Sequence, residues 1–386
     1  MIKNIFKKML YFFIPTKKNQ VSILDETSFS GSNSYAVYRY IIENEKKEVL
    51  DNINLRIFNN QNRPKRRQDR VRDLYYKISS DIIISTHSIT RYKKKQILVQ
   101  LWHGIPLKSM GLLDESYCEQ WIKNDKTIFD NIDIIVSPSK FYNALLNATI
   151  GQSANKYTIL GYPRNDYFLK KNNIDLKIFF KKINLENKLV FFIPTFKKGY
   201  GDRVEGNSKT DNFFGIENFE MIKFSEFLVE NKINFVLKLH PFEEEYYKEK
   251  LSELNLSNIY FLSSNTLISE KIDLYELLSK SDMLVTDYSS VYFDYLLTEK
   301  PMLFVNPDEE EYRRTRGFLL EPYSFWTPGP KVKKQEMLQS EMVKLFNDND
   351  YYKRERKEML NIFHKNFDAN SSERVWKYIK NQYLKL

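Results

Sequence analysis

The stretch ILVQLWHGIPLKSMG (Ile97 to Gly111) runs a short apolar segment directly into a histidine, a glycine and a proline. Ile97 to Leu101 reads as a buried strand, since an apolar run of this length bounded by turn residues fits a parallel-sheet core. His103 then falls at the strand's end, where open α/β sheets place ligand chemistry. Gly104 lets backbone approach a ligand closely, and Pro106 fixes the turn that aims the imidazole. A second strand-like run, Phe235 to Leu239, ends the same way in KLHP (Lys238 to Pro241). Only four histidines occur in 386 residues, so two at strand ends is a pattern worth following.

Working outward, the same short runs recur along the whole chain. Candidate strands are Val21 to Leu24, Leu55 to Phe58, Asp81 to Ser85, Ile97 to Leu101, Ile132 to Val136 and Thr158 to Leu160. A second series follows at Lys188 to Ile193, Asn234 to Leu239, Ile259 to Leu262, Met283 to Thr286 and Met302 to Val305. Helical patterns lie between them at Ser34 to Asn44, Ser139 to Asn147, Glu217 to Asn231 and Ser289 to Glu299. Strands alternating with helices imply βαβ units and parallel sheets. Eleven strands exceed one sheet in a chain this short, which predicts two Rossmann-like domains split near the polar stretch Lys170 to Lys188. The expected division is a surface helix at 1–15, an N-terminal domain at 16–170 and a C-terminal domain at 188–386 that ends in charged helices.

Composition narrows the function. Hydrophobic residues make up 42% of the chain and aromatics 15%, enough for two cores. One cysteine, Cys118, excludes an internal disulfide framework and a cysteine-based zinc cluster. No run approaches the roughly 18 to 20 apolar residues that span a bilayer. A net charge of +10 invites an anionic partner, although abundant Lys, Asn, Ile, Phe and Tyr also reflect a compositional bias. In MIKNIFKKMLYFFIP, Ile2, Ile5, Phe6, Met9, Leu10 and Phe13 share one helical face while Lys3 and Lys7 fall elsewhere. That pattern fits a helix lying on a membrane surface, or equally one packed on its own domain. The basic run RPKRRQDRVR (Arg63 to Arg72) reads as a solvated helix start or as a surface for anionic lipid or polymer.

Several residues carry the chemistry. Alternation would place Lys238 and His240 on one side of their strand, where both could reach one anionic group. In TDYSSVYFDY, a strand ends at Asp287 and a helix begins near Ser289, so Ser289 and Ser290 meet free backbone N–H groups and the positive end of the helix dipole. Asp294, one turn in, is placed to accept hydrogen bonds from ribose hydroxyls. Arg164 in GYPRND and Thr195 in IPTFK follow strands and are expected near phosphates, as is Lys108 near His103. The loop Lys198 to Gly215 reads as a mobile lid or an exposed insertion. Neither G-x-x-x-x-G-K-[ST] nor G-x-G-x-x-G is present, so ATP or dinucleotide binding has no support.

Together QLWHGIPLKSMG, KLHP and TDYSSVYFDYLLTEKP (Thr286 to Pro301) resemble the CDP-glycerol glycerophosphotransferase family of teichoic acid synthesis. LGYPRND (Leu160 to Asp166), IPTFK (Ile193 to Lys197) and DANSSERV (Asp368 to Val375) are similar to that family too. The resemblance implies an α/β, GT-B-like architecture: two Rossmann-like domains facing across a cleft, with C-terminal helices. It implies transfer of a polyol phosphate from a CDP-activated donor, CDP-glycerol or CDP-ribitol, to a hydroxyl of a lipid-linked or polymeric glycan. His103 would be the general base, and His240 would stabilise charge on the leaving phosphate. Trp102, Gly104, Pro106, Lys108, Arg164, Thr195, Lys238, Asp287, Ser289, Ser290 and Asp294 would bind the donor. No metal and no cofactor besides the substrate is expected, and the protein would sit peripherally on the cytoplasmic face of an anionic membrane. Ile105, Lys197 and Ala369 depart from the family's usual residues, which bears on polyol choice. Two other readings share parts of this evidence: a GT-B glycosyltransferase using a nucleotide sugar, and a basic protein binding nucleic acid, for which no recognition module is present.

Overall fold

Parallel pairing of short, mostly buried apolar runs builds both halves of the protein. The computed structural model describes residues 11–60, 64, 66–114, 126–196, 212–254 and 256–386, with backbone only at 241 and 242. Among these, twelve strands form two six-stranded sheets. The chain divides into two units, Met1–His103 with Tyr117–Tyr167 and His364–Leu386, and Gly104–Ser116 with Phe168–Phe363.

The first sheet contains β1 (Gln20–Leu24), β2 (Asn54–Phe58), β3 (Ile82–Ser85), β4 (Ile97–Gln100), β5 (Ile134–Ser137) and β6 (Tyr157–Ile159). Their order is β2-β1-β3-β4-β5-β6, with every neighbour parallel. Strands such as IIIS and IIVS are buried at every position because helices cover both faces of a parallel sheet. Helix Asn33–Asn44 follows β1 and is capped by Ser32, whose hydroxyl accepts from the Tyr35 amide at 3.3 Å. The C-terminal helix Ser371–Tyr383 returns to this unit, where Val375, Trp376 and Ile379 join a core with Val21, Ile23 and Val99. Asp166 holds it there, accepting from the Ser371 and Ser372 amides at 2.8 Å each. Gly161 of the LGYPRND stretch has φ +84°, and a Cβ on it would lie 2.5 Å from the Ser371 hydroxyl. The glycine is therefore required both by conformation and by this close passage.

The second sheet contains β7 (Lys188–Phe192), β8 (Ile233–Leu237), β9 (Ile259–Phe261), β10 (Met283–Thr286), β11 (Met302–Val305) and β12 (Lys331–Val332), in the order β12-β11-β10-β7-β8-β9. Its core is aromatic: Phe192, Phe213, Phe214, Phe224 and Phe235 pack in one cluster. Segment Gly104–Ser116 belongs to this unit. The Leu319 amide donates to the Leu107 carbonyl at 2.8 Å and the Ser109 amide to the Gly317 carbonyl at 3.1 Å.

The elements differ from expectation in informative ways. β12 is two residues long and carries no periodicity to read. The helix expected from Ser289 to Glu299 is helical only over Val291–Tyr295, then tightens into a 3-10 turn at Leu296–Thr298. The helix expected at Glu217 begins at Met221, and the strand expected to reach Leu239 stops at Leu237. The unit boundaries also cut across the expected ones, because Gly104–Ser116 and His364–Leu386 each pack with the unit from which they are remote in sequence. Residues 1–10 of the expected surface helix, Arg63, Lys65, Cys118 and residues 197–211 lie outside the described residues. The end of the expected lid is not polar insertion but core, since Phe213 and Phe214 are buried.

Candidate functional site

In the first unit, the turn after β4 is fixed by side chains rather than by regular pairing. Gln100 accepts from the Trp102 amide at 2.9 Å and donates to the His87 carbonyl at 2.8 Å. Asn33 donates to the Trp102 carbonyl at 2.8 Å. These bonds hold Trp102 at φ +56°, a left-handed conformation that an aromatic residue adopts only when its surroundings impose it. Arg164, 5% exposed, donates to the carbonyls of Gly31 and His103 at 3.0 Å each. Its Nη1 therefore holds the His103 backbone, a positioning role that the sequence did not suggest.

The His103 ring stacks on Trp102 at 4.6 Å and 26°, and on His87 at 4.9 Å and 8°. Two ring neighbours fix its plane and leave its edge to do chemistry. Desolvation lowers its pKa to about 3, helped by the charges of His87 and Arg164. Hydrogen bonding at the Thr86 backbone acts the other way. His103 is nonetheless exposed, so a substrate hydroxyl can reach it. His103 is neutral at neutral pH, with one ring nitrogen a donor and the other an acceptor. That is the state a general base needs.

In the second unit, the residues meet where β7 and β10 lie side by side but lead their chains in opposite directions across the sheet. Such a switch point opens a crevice at the carboxyl ends of the strands. Asp287 Oδ1 accepts there from the Thr195 amide at 2.7 Å and the Ser289 amide at 3.1 Å, tying the two loops together. The hydroxyls of Thr195, Ser289 and Ser290 have no hydrogen-bond partner among the described residues, and that of Thr195 is buried. His240 follows β8, and its ring stacks on Phe196 at 4.2 Å and 23°. Burial and the Lys238 charge lower its pKa, while Glu244 opposes them.

Two residues expected here face inward. Lys238 is 6% exposed, and its ammonium is used by an ion pair with Glu244 and by hydrogen bonds to Ser264 Oγ at 3.0 Å and the Leu239 carbonyl at 2.8 Å. Three protons are thereby committed, leaving none for a phosphate. The alternation argument fails because β8 has already ended, and Glu244, on helix Pro241–Ser252, comes back over the loop. Asp294 is fully buried and accepts from the Tyr275 hydroxyl at 2.8 Å, so it braces the interior and does not reach a ribose. Gly104 and Pro106 precede Lys108, which forms an isolated antiparallel bridge with Phe318. His103 is thus assigned to the first unit and Gly104, Pro106 and Lys108 to the second.

The sequence reading passed over His87, Asn33 and Phe196. A signal existed for His87: it is one of four histidines and follows the apolar run of β3 just as His103 follows β4. Asn33 carried none, because only the fold brings its amide to the Trp102 carbonyl.

Comparison with known proteins identifies the family. The profile described as CDP-glycerol:poly(glycerophosphate) glycerophosphotransferase matches residues 6–381. The chain is 27% identical over 342 residues to a teichoic acid poly(glycerol phosphate) polymerase of Bacillus spizizenii, covering 83% of this chain and 82% of that protein. It is 26% identical to a teichoic acid glycerol-phosphate transferase of Staphylococcus aureus, covering 97% and 98%. Among solved structures, the wall teichoic acid polymerase TagF superposes with a TM-score of 0.74 at 18% identity, covering 99% of this chain and 96% of that one. A UDP-GlcNAc 2-epimerase from Neisseria meningitidis superposes with a TM-score of 0.53 at 13% identity, covering 94% and 100%. These structural likenesses establish the fold as GT-B-like. With the family profile spanning nearly the whole chain, the protein belongs to the CDP-glycerol:poly(glycerophosphate) glycerophosphotransferase family and is a transferase of that class.

Proposed function

We propose that the protein transfers glycerol phosphate from CDP-glycerol to a hydroxyl of a lipid-linked or polymeric cell-surface glycan and releases CMP. The observation that carries this reading is the trio of uncommitted hydroxyls, Thr195, Ser289 and Ser290, at the switch point of the second sheet beside His240. Hydroxyl donors on the two loops that Asp287 ties together suit phosphate oxygens and would bind the donor's nucleotide half. The first unit supplies the base. Neutral His103 takes the proton of the acceptor hydroxyl as its oxygen attacks the β-phosphorus, and the bond from that phosphorus to the bridging oxygen breaks to leave CMP. His240 stabilises charge that develops on the leaving phosphate. The reading requires no cofactor beyond the substrate. CMP release from CDP-glycerol and CDP-ribitol, measured with a glycan acceptor, tests it: release from CDP-glycerol is expected to be faster. Release from neither donor, or cleavage of a nucleotide sugar at its sugar carbon, would overturn it.

The same reading places the protein peripherally on the cytoplasmic face of a membrane, where a lipid-linked acceptor is met far more often than from bulk solution. No described helix is long and apolar enough to cross a bilayer. Phe12 and Phe13, in the short helical turn that opens the described chain, are 83% and 76% exposed. Exposed aromatics beside Lys17 and Lys18 suit a headgroup region, each lysine adding about 1 kcal/mol of attraction to an anionic leaflet. Deleting residues 1–15 is expected to reduce sedimentation with anionic liposomes and to spare activity on a soluble acceptor. Unchanged sedimentation would place the anchor elsewhere.

A further inference from the structure

His87 stands beside the base without a part in the transfer described above. We propose that His87 is a positioning residue for that transfer: it fixes the plane of His103 and takes the first proton that the two rings bind, which keeps His103 an acceptor. The proposal rests on the transfer reading. Neighbouring strands bring the two histidines together. Leu24 of β1 lies opposite Ser85 of β3, and Ser85 opposite Gln100 of β4, so the chain leaves three adjacent strands at one level. Asp25 and Glu26 follow β1, His87 follows β3 and His103 follows β4. One side chain then sets the spacing. Gln100 donates to the His87 carbonyl at 2.8 Å and accepts from the Trp102 amide at 2.9 Å, while the His87 amide donates to Ser85 Oγ at 3.2 Å. The imidazoles of His87 and His103 emerge parallel, 4.9 Å apart at 8°.

The His87 ring is not spent on holding the fold. Its Nδ1 is buried and has no hydrogen-bond partner among the described residues, so none of them ties it to one tautomer or protonation state. A phenyl ring would supply the same stack, and what the imidazole adds is a place for a proton. Two imidazolium rings at this separation repel, so the pair binds its protons in two distinct steps. Charge decides which ring is first. The Glu26 and Asp25 carboxylates favour a proton on His87, against burial and the Arg164 charge. Asp25 is 2% exposed, and the hydroxyls of Ser28 and Ser32 and the amide of Thr27 donate to it, favouring its ionised form. Among the described residues, the charged groups acting on His103 are His87 and Arg164, and both oppose a proton there, as burial does. Acid therefore charges His87 before His103, and the base stays neutral to lower pH than it would beside a ring that cannot be charged.

Nuclear magnetic resonance on the full chain, with isotope-labelled histidine, tests this, because four histidines give few signals to assign. In the wild type, His87 is expected to titrate at higher pH than His103. Two variants separate what the ring does. His87→Phe keeps a stacked ring and removes the proton site; the His103 titration and the acid limb of CMP release are expected to move up by about one pH unit. His87→Ala also removes the stack, and should lower turnover near pH 8 about tenfold relative to His87→Phe through misalignment of the base. Thermal melting of each sample confirms folding, and the order of titration in the wild type needs no variant. His103 titrating at or above the pH of His87 in the wild type, a His103 titration unmoved in folded His87→Phe, or turnover in His87→Ala no lower than in His87→Phe would each overturn the proposal. The titrations need no substrate. If the wild type released no CMP from any CDP-polyol, the transfer reading would therefore fail in a separate measurement.

Discussion

Replacing His103 by alanine is expected to reduce transfer by about 10²- to 10⁴-fold, the range for removal of a general base. Affinity for CMP should stay near that of the wild type, because His103 belongs to the first unit and the hydroxyls proposed to hold the nucleotide belong to the second. The pH profile carries a sharper expectation. Burial lowers the His103 pKa below the ordinary imidazole value. The neutral, proton-accepting form therefore persists as pH falls through 6.5, and the acid limb of the wild-type profile should lie below the usual histidine range. The same shift bears on stability: a histidine whose folded pKa is depressed destabilises the fold as pH falls below the unfolded value near 6.5 and contributes nothing above it. Steady-state CMP release from pH 4 to 8 measures the limb. Wild-type turnover in a folded His103→Ala protein, or an acid limb at or above pH 6.5, would remove this imidazole as the base.

The stacked environment makes the alanine test more telling than a glutamine one. Trp102 and His87 flank the ring, and Gln100, Asn33 and Arg164 hold the backbone on either side of it. Removing the imidazole gives up two ring contacts but keeps every one of these backbone hydrogen bonds, so with folding checked by thermal melting the activity loss reports the missing nitrogen.

What the sequence could and could not disclose follows from the range of the forces involved. The core strands of both sheets were legible because parallel strands buried on both faces are written as continuous apolar runs, such as IIIS and MLVT. His103 and His240 were legible because each ends such a run. The side-chain directions were not. Lys238 looked available from alternation alone, yet Glu244, six residues on, turns it inward through a helix whose return path no local pattern specifies. Asp294 failed for a related reason. On a shorter helix than expected, its position is decided by Tyr275, nineteen residues earlier. Arg164 was singled out, but its acceptors, the Gly31 and His103 carbonyls, become neighbours only when helix Asn33–Asn44 and β4 are assembled. Long-range hydrogen bonding, not propensity, decides each of these.

The same principle yields the largest stability effect we expect. Trp376 is 1% exposed and lies among Val375, Ile379 and the β1 and β4 side chains of the first core. Its indole N–H donates to Glu45 at 2.6 Å, and Lys380 reaches the same carboxylate oxygen at 2.7 Å. Trp376→Ala removes the largest side chain of that cluster and one partner of a half-buried carboxylate. Cavity formation after loss of a large aromatic costs about 3 to 5 kcal/mol. Trp376→Phe, which keeps much of the volume and loses the N–H, should cost about 1 to 2 kcal/mol, set mainly by the hydrogen bond. The position of the damage distinguishes this fold from the simpler order of the sequence. Although residue 376 follows the whole second unit along the chain, it packs in the first. Hydrogen exchange in Trp376→Ala should therefore accelerate in peptides covering β1 and β4 and leave those covering β8 and β10 near wild-type protection. Acceleration confined to the second unit, or a destabilisation below about 1 kcal/mol in calorimetry, would mean that the C-terminal helix does not complete the first core.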